Sequence, residues 1–220
     1  MHIKTDHRSF FVFDLDDTLY REIDFLHSGY RTIARVLEEK TGTNHYADMV
    51  TLYQGGGNVF EWIISNFRQQ WPDLAMPVLL TLYREHMPSI SLYKEAAGLL
   101  QQLKQRNIPA GLITDGRSIT QRNKLKALGL ADYFSDTIIS EEFGSEKPDE
   151  RNYRYFENKY PGFDFSYFGD NTTKDFIAPA NLGWFTCCLK DDGYHIHPQA
   201  FDHAAFPAAV IQSFEEIQLT

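Results

Sequence analysis

Acidic residues, one hydroxyl and one lysine stand at the ends of successive apolar runs in this chain. The run Ser9-Phe-Phe-Val-Phe13 ends in Asp14-Leu-Asp16-Asp17-Thr18, and Ile108–Ile113 ends in Thr114-Asp115-Gly116. Thr137–Ile139 is followed by Glu146-Lys147-Pro148, and Phe165–Phe168 by Gly169-Asp170, with Asp175 a little further on. Such a set suits phosphoryl transfer. A carboxylate can attack phosphorus and form an aspartyl-phosphate, which divides one hard displacement into two. Both reactants are anions, and like charges about 4 Å apart repel by about 4 kcal/mol at an effective dielectric near 20. A divalent cation with a lysine reverses that sign. Magnesium prefers hard oxygen donors, for which Asp14 and Asp170 are suitable. Asp16, two residues after the nucleophile, is placed to protonate the leaving oxygen and then deprotonate water. Thr114 and the backbone N–H groups of Asp115 and Gly116 can hold phosphoryl oxygens.

The elements that must position these residues follow from hydrophobic periodicity. The continuous, β-rich runs, with a further one at Trp184–Leu189, fit strands buried on both faces of a parallel sheet. Amphipathic segments alternate with them: Leu99, Leu100 and Leu103 mark one helix, Ile119, Leu125 and Leu128 a second closed by Gly129, and Tyr153, Phe156 and Tyr160 a third whose aromatic stripe reads as core. Alternating strands and helices define an α/β fold with a mostly parallel sheet. Between the first strand and the second, a βαβ unit of about 30 residues leaves about 70 residues over. That surplus reads as helices: Glu22–Thr41, Tyr46–Tyr53, a third opened by a capping box at Asn58-Val-Phe-Glu61, and a fourth with Pro77 in its first turn, ending at His86. The expected division is a core of residues 1–20 and 91–220 with a helical bundle at 21–90, its tryptophans Trp62 and Trp71 inside the bundle.

In this order, Asp14-Leu-Asp16-Asp17-Thr18, Thr114 after Gly111-Leu-Ile113, Lys147-Pro148 and Gly169-Asp170…Asp175 resemble the haloacid dehalogenase superfamily, across nearly the whole chain. The resemblance implies a Rossmann-like core carrying a mobile cap, with the insertion similar to the cap of the branch that holds phosphoglycolate phosphatases, nucleotidases and sugar phosphatases. It implies that Asp14 is the nucleophile and a magnesium ligand, and that Asp16 is the acid/base and lends its carbonyl to the metal. Thr114 then binds phosphate, Lys147 balances the charge of Asp14 and the phosphoryl group, Asp170 ligates Mg2+, and Asp175 supports the metal or Lys147. The family commonly has Asn just before that last Asp, where this chain has Lys174. Asp16 separates the chain from true dehalogenases, which lack an acid there.

A net charge of −9 argues against a nucleic-acid surface, which needs clustered Lys and Arg. No stretch reaches the roughly 18 apolar residues that span a bilayer, and the first residues are too polar for a signal peptide. Adjacent Cys187 and Cys188 are poorly placed for an unstrained disulfide and read as buried, reduced strand residues, consistent with a cytoplasmic protein. The Gln54–Asn58 glycine loop is either a permissive turn or a substrate contact. The stretch from Asp191 through His195 and His197 to His203 matches no zinc spacing and reads as a solvated surface loop. The expected function is Mg2+-dependent hydrolysis of a small phosphorylated metabolite, a sugar phosphate or nucleotide-like ester. A phosphomutase is the alternative within the superfamily, and a non-catalytic phosphate-binding or receiver-type protein the alternative outside it. Oligomeric state stays open.

Overall fold

The computed structural model describes residues 1–201 and 206–220, so His203 lies outside the described residues. In chain order the elements are β1 (His2–Ile3), β2 (Ser9–Phe13), α1 (Glu22–Thr41), α2 (Tyr46–Gln54), α3 (Val59–Phe67), α4 (Met76–Glu85) and α5 (Lys94–Gln105). They continue with β3 (Ala110–Thr114), α6 (Ser118–Ala127), β4 (Asp136–Ile139), α7 (Ser140–Phe143), α8 (Glu150–Lys159) and β5 (Asp164–Gly169). The chain then forms α9 (Ile177–Asn181), β6 (Phe185–Leu189), β7 (Ala209–Ile211) and β8 (Gln218–Leu219). Backbone packing divides the chain into two compact units, residues 1–22 with 91–220, and residues 23–90.

In the first unit the strands lie in the order β4-β3-β2-β5-β6-β7, every neighbouring pair parallel. Strand β2 sits in the middle because its side chains are apolar on both faces. Phe10 and Val12 join Tyr153, Phe156 and Trp184 in one core layer. Phe11 and Phe13 face the other way, their rings 5.4 and 5.1 Å from that of Phe168. Chain order reverses on either side of β2, with β3 on one flank and β5 on the other. The crevice at the carboxyl ends of these strands is where open parallel sheets bind ligands. Among the described residues this is the Rossmann-like α/β architecture that the alternating pattern predicts, and the aromatic stripe of α8 is core.

Close packing beside β2 depends on Gly111. A Cβ there would overlap the fully buried Phe156 ring and come within 3.1 Å of Phe10. Gly111→Ala is expected to lower stability by about 1–3 kcal/mol, since overpacking forces rotamers and backbone to shift. Urea unfolding checks this; an unchanged midpoint would mean that the Phe156 ring swings aside freely.

The second unit is helical and has its own core, in which Ile33, Leu37, Met49, Ile63 and Leu79 are fully buried. Trp71 belongs to that core and Trp62 packs against it half-buried. Asn58 caps α3 by accepting the Glu61 N–H at 3.2 Å, and Pro77 stands in the first turn of α4. Ser28 Oγ accepts the Ser89 N–H at 2.8 Å and lies 3.0 Å from His86 Nε2, tying the end of this unit back to its first helix.

One helix is turned differently from the sequence pattern. Ile119, expected on the buried face of α6, is 46% exposed, whereas Lys124 and Gln121 are buried beside Leu125. The polar face is inward because it has partners there.

Candidate active site

Asp14 leaves β2 with its N–H on the Phe168 carbonyl at 2.8 Å, which fixes the side chain at the sheet edge. Lys147 Nζ lies 2.6 Å from Asp14 Oδ1 and 2.7 Å from Asp175 Oδ1, with all three side chains almost wholly buried. Asp175 Oδ2 accepts the N–H groups of Asp170 (3.2 Å) and Asn171 (2.9 Å). Both Asp175 oxygens are therefore engaged, one bracing Lys147 and the other holding the turn that carries Asp170. Gly169 permits this approach, because a Cβ there would stand 2.5 Å from Asp175 Oδ2.

Burial pushes the Asp14 carboxyl up, an effect that the Lys147 ammonium opposes and the Asp175 and Asp170 carboxylates reinforce. For Lys147, burial alone would favour the neutral amine, but Asp14 and Asp175 outweigh it and hold the ammonium.

Asp16 is enclosed by residues that the sequence pattern does not single out. Lys124 Nζ lies 2.6 Å from Oδ1, Gln121 Nε2 donates to Oδ2 at 2.9 Å, and the Tyr20 hydroxyl donates to Oδ1. Gln121 also donates to Thr114 Oγ1 at 2.6 Å, so one amide ties the end of β3 to the loop after β2. Burial would raise the Asp16 carboxyl, but Lys124, Tyr20 and Gln121 together hold it below the usual range.

Asp14, Asp16, Thr114, Asp115, Lys147 and Asp170 line one cavity of about 90 Å³, together with Lys174 and His197. Asp115 accepts the Lys147 N–H at 3.1 Å and pairs with Lys174 Nζ at 2.7 Å, so Lys174 occupies the place of the family's usual Asn with an ion pair. Gly116 is turned elsewhere: its N–H donates to Ser140 Oγ at 2.9 Å, and it lines a separate depression with Arg117 and Glu141.

Within Asp191–His197, Asp192, Gly193, Tyr194 and His197 are exposed as a solvated loop requires, but His195 departs from that expectation. His195 has its side chain 1% exposed and places Nδ1 3.3 Å from Asp170 Oδ2. Asp17 fastens this segment, accepting the Ile196 N–H at 2.8 Å on Oδ2 and the Glu22 N–H at 2.7 Å on Oδ1. The chance of seeing this from sequence is small, since Asp17 and Ile196 are far apart in the chain and the loop has no periodicity.

Two of these carboxyls make folding pH-dependent. Burial raises Asp17 to about 6 and Glu22 to about 8, from 3.8 and 4.5. The folded state thus binds more protons than the unfolded one between those limits, and stability falls as pH rises. His195 acts in the same direction: burial lowers it, but Asp170 prevails and raises it, so its stabilising charge is lost on the way to alkaline pH. In chelator, the melting temperature is expected to drop from pH 6 to pH 8.5, and a divalent cation to recover much of the loss. A melting temperature that rises over this interval would contradict the placement of Asp17 and Glu22.

A family model described as haloacid dehalogenase-like hydrolase matches residues 11–188. The chain belongs to that family. It is 28% identical over 201 residues to the glyceraldehyde 3-phosphate phosphatase of Methanocaldococcus jannaschii, a match covering 83% of this chain and 85% of the relative. It is 37% identical over 150 residues to the phosphoserine phosphatase of Thermus thermophilus, covering 67% of this chain and 58% of the other. The magnesium-bound structure of the putative HAD-hydrolase YfnB from Bacillus subtilis superposes with a TM-score of 0.64 at 24% identity, over 96% of this chain and 97% of that one.

Proposed function

We propose that this chain is a Mg2+-dependent phosphatase that hydrolyses small phosphorylated metabolites through an aspartyl-phosphate on Asp14. The observation that carries the reading is the Asp14–Lys147–Asp175 triad beside Asp170, buried at the crevice where the sheet reverses its order. The phosphatase relatives support the same class of reaction.

The residues fit a hard cation. Asp170 Oδ2 is buried with no hydrogen-bond partner, and oxygens of Asp14, Asp170 and Asp175 lie within 4.8 Å of one another. Asp14, Asp170 and the backbone carbonyl of Asp16 would hold Mg2+, with Asp175 in support through Lys147 and the Asp170 turn. Bound there, the ion would offset the charge of the carboxylates and the phosphoryl group.

Thr114 and Lys147 hold the phosphoryl oxygens, and Asp115 fixes the Lys147 backbone. Asp14 Oδ attacks phosphorus, and the leaving oxygen takes a proton from Asp16. Asp16 then removes a proton from water, which attacks the acyl phosphate and returns Asp14 as a carboxylate with free phosphate. At rest Asp16 is held ionised by Lys124, the form required for the water step. For the first step Asp16 must carry a proton, which the Lys124 ammonium 2.6 Å away passes to it as charge develops on the leaving oxygen, and the proton that Asp16 later takes from water returns to Lys124.

Residues 1–20 and 91–220 form the catalytic core in this reading, and residues 21–90 the cap. Buried free thiols at Cys187 and Cys188 are in keeping with a cytoplasmic setting, and among the described residues no helix is long and apolar enough to cross a membrane.

Phosphate release from a panel containing glyceraldehyde 3-phosphate, phosphoserine, phosphoglycolate, hexose phosphates and nucleoside monophosphates, ranked by kcat/KM with Mg2+, tests the proposal. At least one ester is expected to turn over with Mg2+ and none in excess chelator. Full activity without metal would refute the mechanism, and an isomerised ester in place of free phosphate would make the chain a mutase.

A further inference from the structure

The cation side of the site contains a nitrogen donor that the hydrolytic reading leaves unused. His195 Nδ1 and Asp170 Oδ2 are 3.3 Å apart, both buried, and neither makes a hydrogen bond. Two polar atoms that close would normally satisfy one another; here they lie side by side without the alignment that a hydrogen bond requires. Two donors about 2.1 Å from one ion at near right angles lie about 3 Å apart, which is the spacing found. Asp17 completes the group, since oxygens of Asp17 and Asp170 and a His195 ring nitrogen all fall within 4.8 Å of one another. Each Asp17 oxygen accepts one backbone N–H and keeps a lone pair.

The histidine is built into place. Asp191 Oδ1 accepts the N–H groups of Gly193, Tyr194 and His195 at 2.7, 3.0 and 3.0 Å, curling the backbone into the ring's position. On its other side Ile196 is fastened to Asp17, and Gln199 Nε2 donates to the Asp170 carbonyl at 2.8 Å. The segment is thereby anchored at both the Asp170 turn and the loop that follows Asp14.

We propose that His195 Nδ1, with Asp17 beside it, adds to the oxygen donors at Asp170 as a ligand of the same divalent cation, making the centre a mixed nitrogen–oxygen one that binds Co2+ or Mn2+ more tightly than the Mg2+ of the proposed reaction. This rests on the phosphatase reading in placing a cation at Asp170. An imidazole adds more to the binding of transition ions than to that of magnesium, which keeps oxygen donors and water.

The test uses the full chain loaded with Mn2+ alone and examined by electron spin-echo envelope modulation. Modulation from a directly bound imidazole nitrogen is expected in the wild type and absent in His195→Gln. Calorimetric titration of the same two proteins is expected to show Co2+ affinity falling about tenfold or more in the variant, with Mg2+ affinity changing less than about twofold. Absence of nitrogen modulation in the wild type overturns the proposal without needing any variant to fold. Equal weakening of Co2+ and Mg2+ also overturns it, because His195 would then only orient Asp170. Magnesium-dependent phosphate release by the wild type, measured alongside, separates failure of this inference from failure of the phosphatase reading.

Discussion

Asn in place of Asp14 is expected to reduce phosphate release by more than about a thousandfold, with the protein still folded. An amide cannot form the acyl phosphate, and loss of a nucleophile removes a whole reaction route. Folding should survive because the shape is kept and Lys147 retains Asp175 at 2.7 Å. The variant also loses a buried negative charge whose ionised form burial disfavours, so its melting temperature should equal or exceed that of the wild type in chelator. Phosphate release and thermal melting on one preparation check both halves. Turnover above about 1% of wild type in a folded variant would remove Asp14 from the role of nucleophile.

The second large effect is at Lys147. Lys147→Met removes the ammonium shared by Asp14 and Asp175 and leaves two buried carboxylates facing each other. Breaking a buried pair from one side costs about 3–5 kcal/mol, because the remaining charge loses its partner. Activity should fall with it, since Asp14 then meets a phosphate with less positive charge at hand. The effect of lost charge can be separated from that of lost packing. Adding Asp175→Asn to Lys147→Met takes away one uncompensated carboxylate and should restore part of the stability, while activity stays low. Denaturant unfolding of both variants checks this. A double variant less stable than the single one would mean that Asp175 serves mainly the turn, through its hydrogen bonds to Asp170 and Asn171.

Which residues stand at the carboxyl edge of the sheet is already legible in the order of the amino acids. Phe10–Phe13 is apolar at every position and Ala110–Ile113 carries no polar side chain, and a strand covered on both faces accommodates that. Asp14, Thr114, Lys147 and Asp170 are the first polar residues after such runs or on the loops beyond them, so their convergence follows from the parallel order. The insertion was legible for a similar reason, because amphipathic spacing marks α1 through α4.

The pairing of the buried polar groups emerges only once the chain is folded. Lys124 and Gln121 meet Asp16 across 108 and 105 residues, and Lys147 meets Asp14 across 133. Periodicity reports which side chains avoid water, and it assigns a lysine to the surface unless a distant carboxylate offers a partner. Helix α6 therefore faces inward with Gln121 and Lys124 while Ile119 is left outside. The same limit hid His195: nothing local in Asp191–His197 distinguishes a loop anchored on Asp17 and Asp170 from one dissolved in water, because the anchoring partners come from the ends of two other strands.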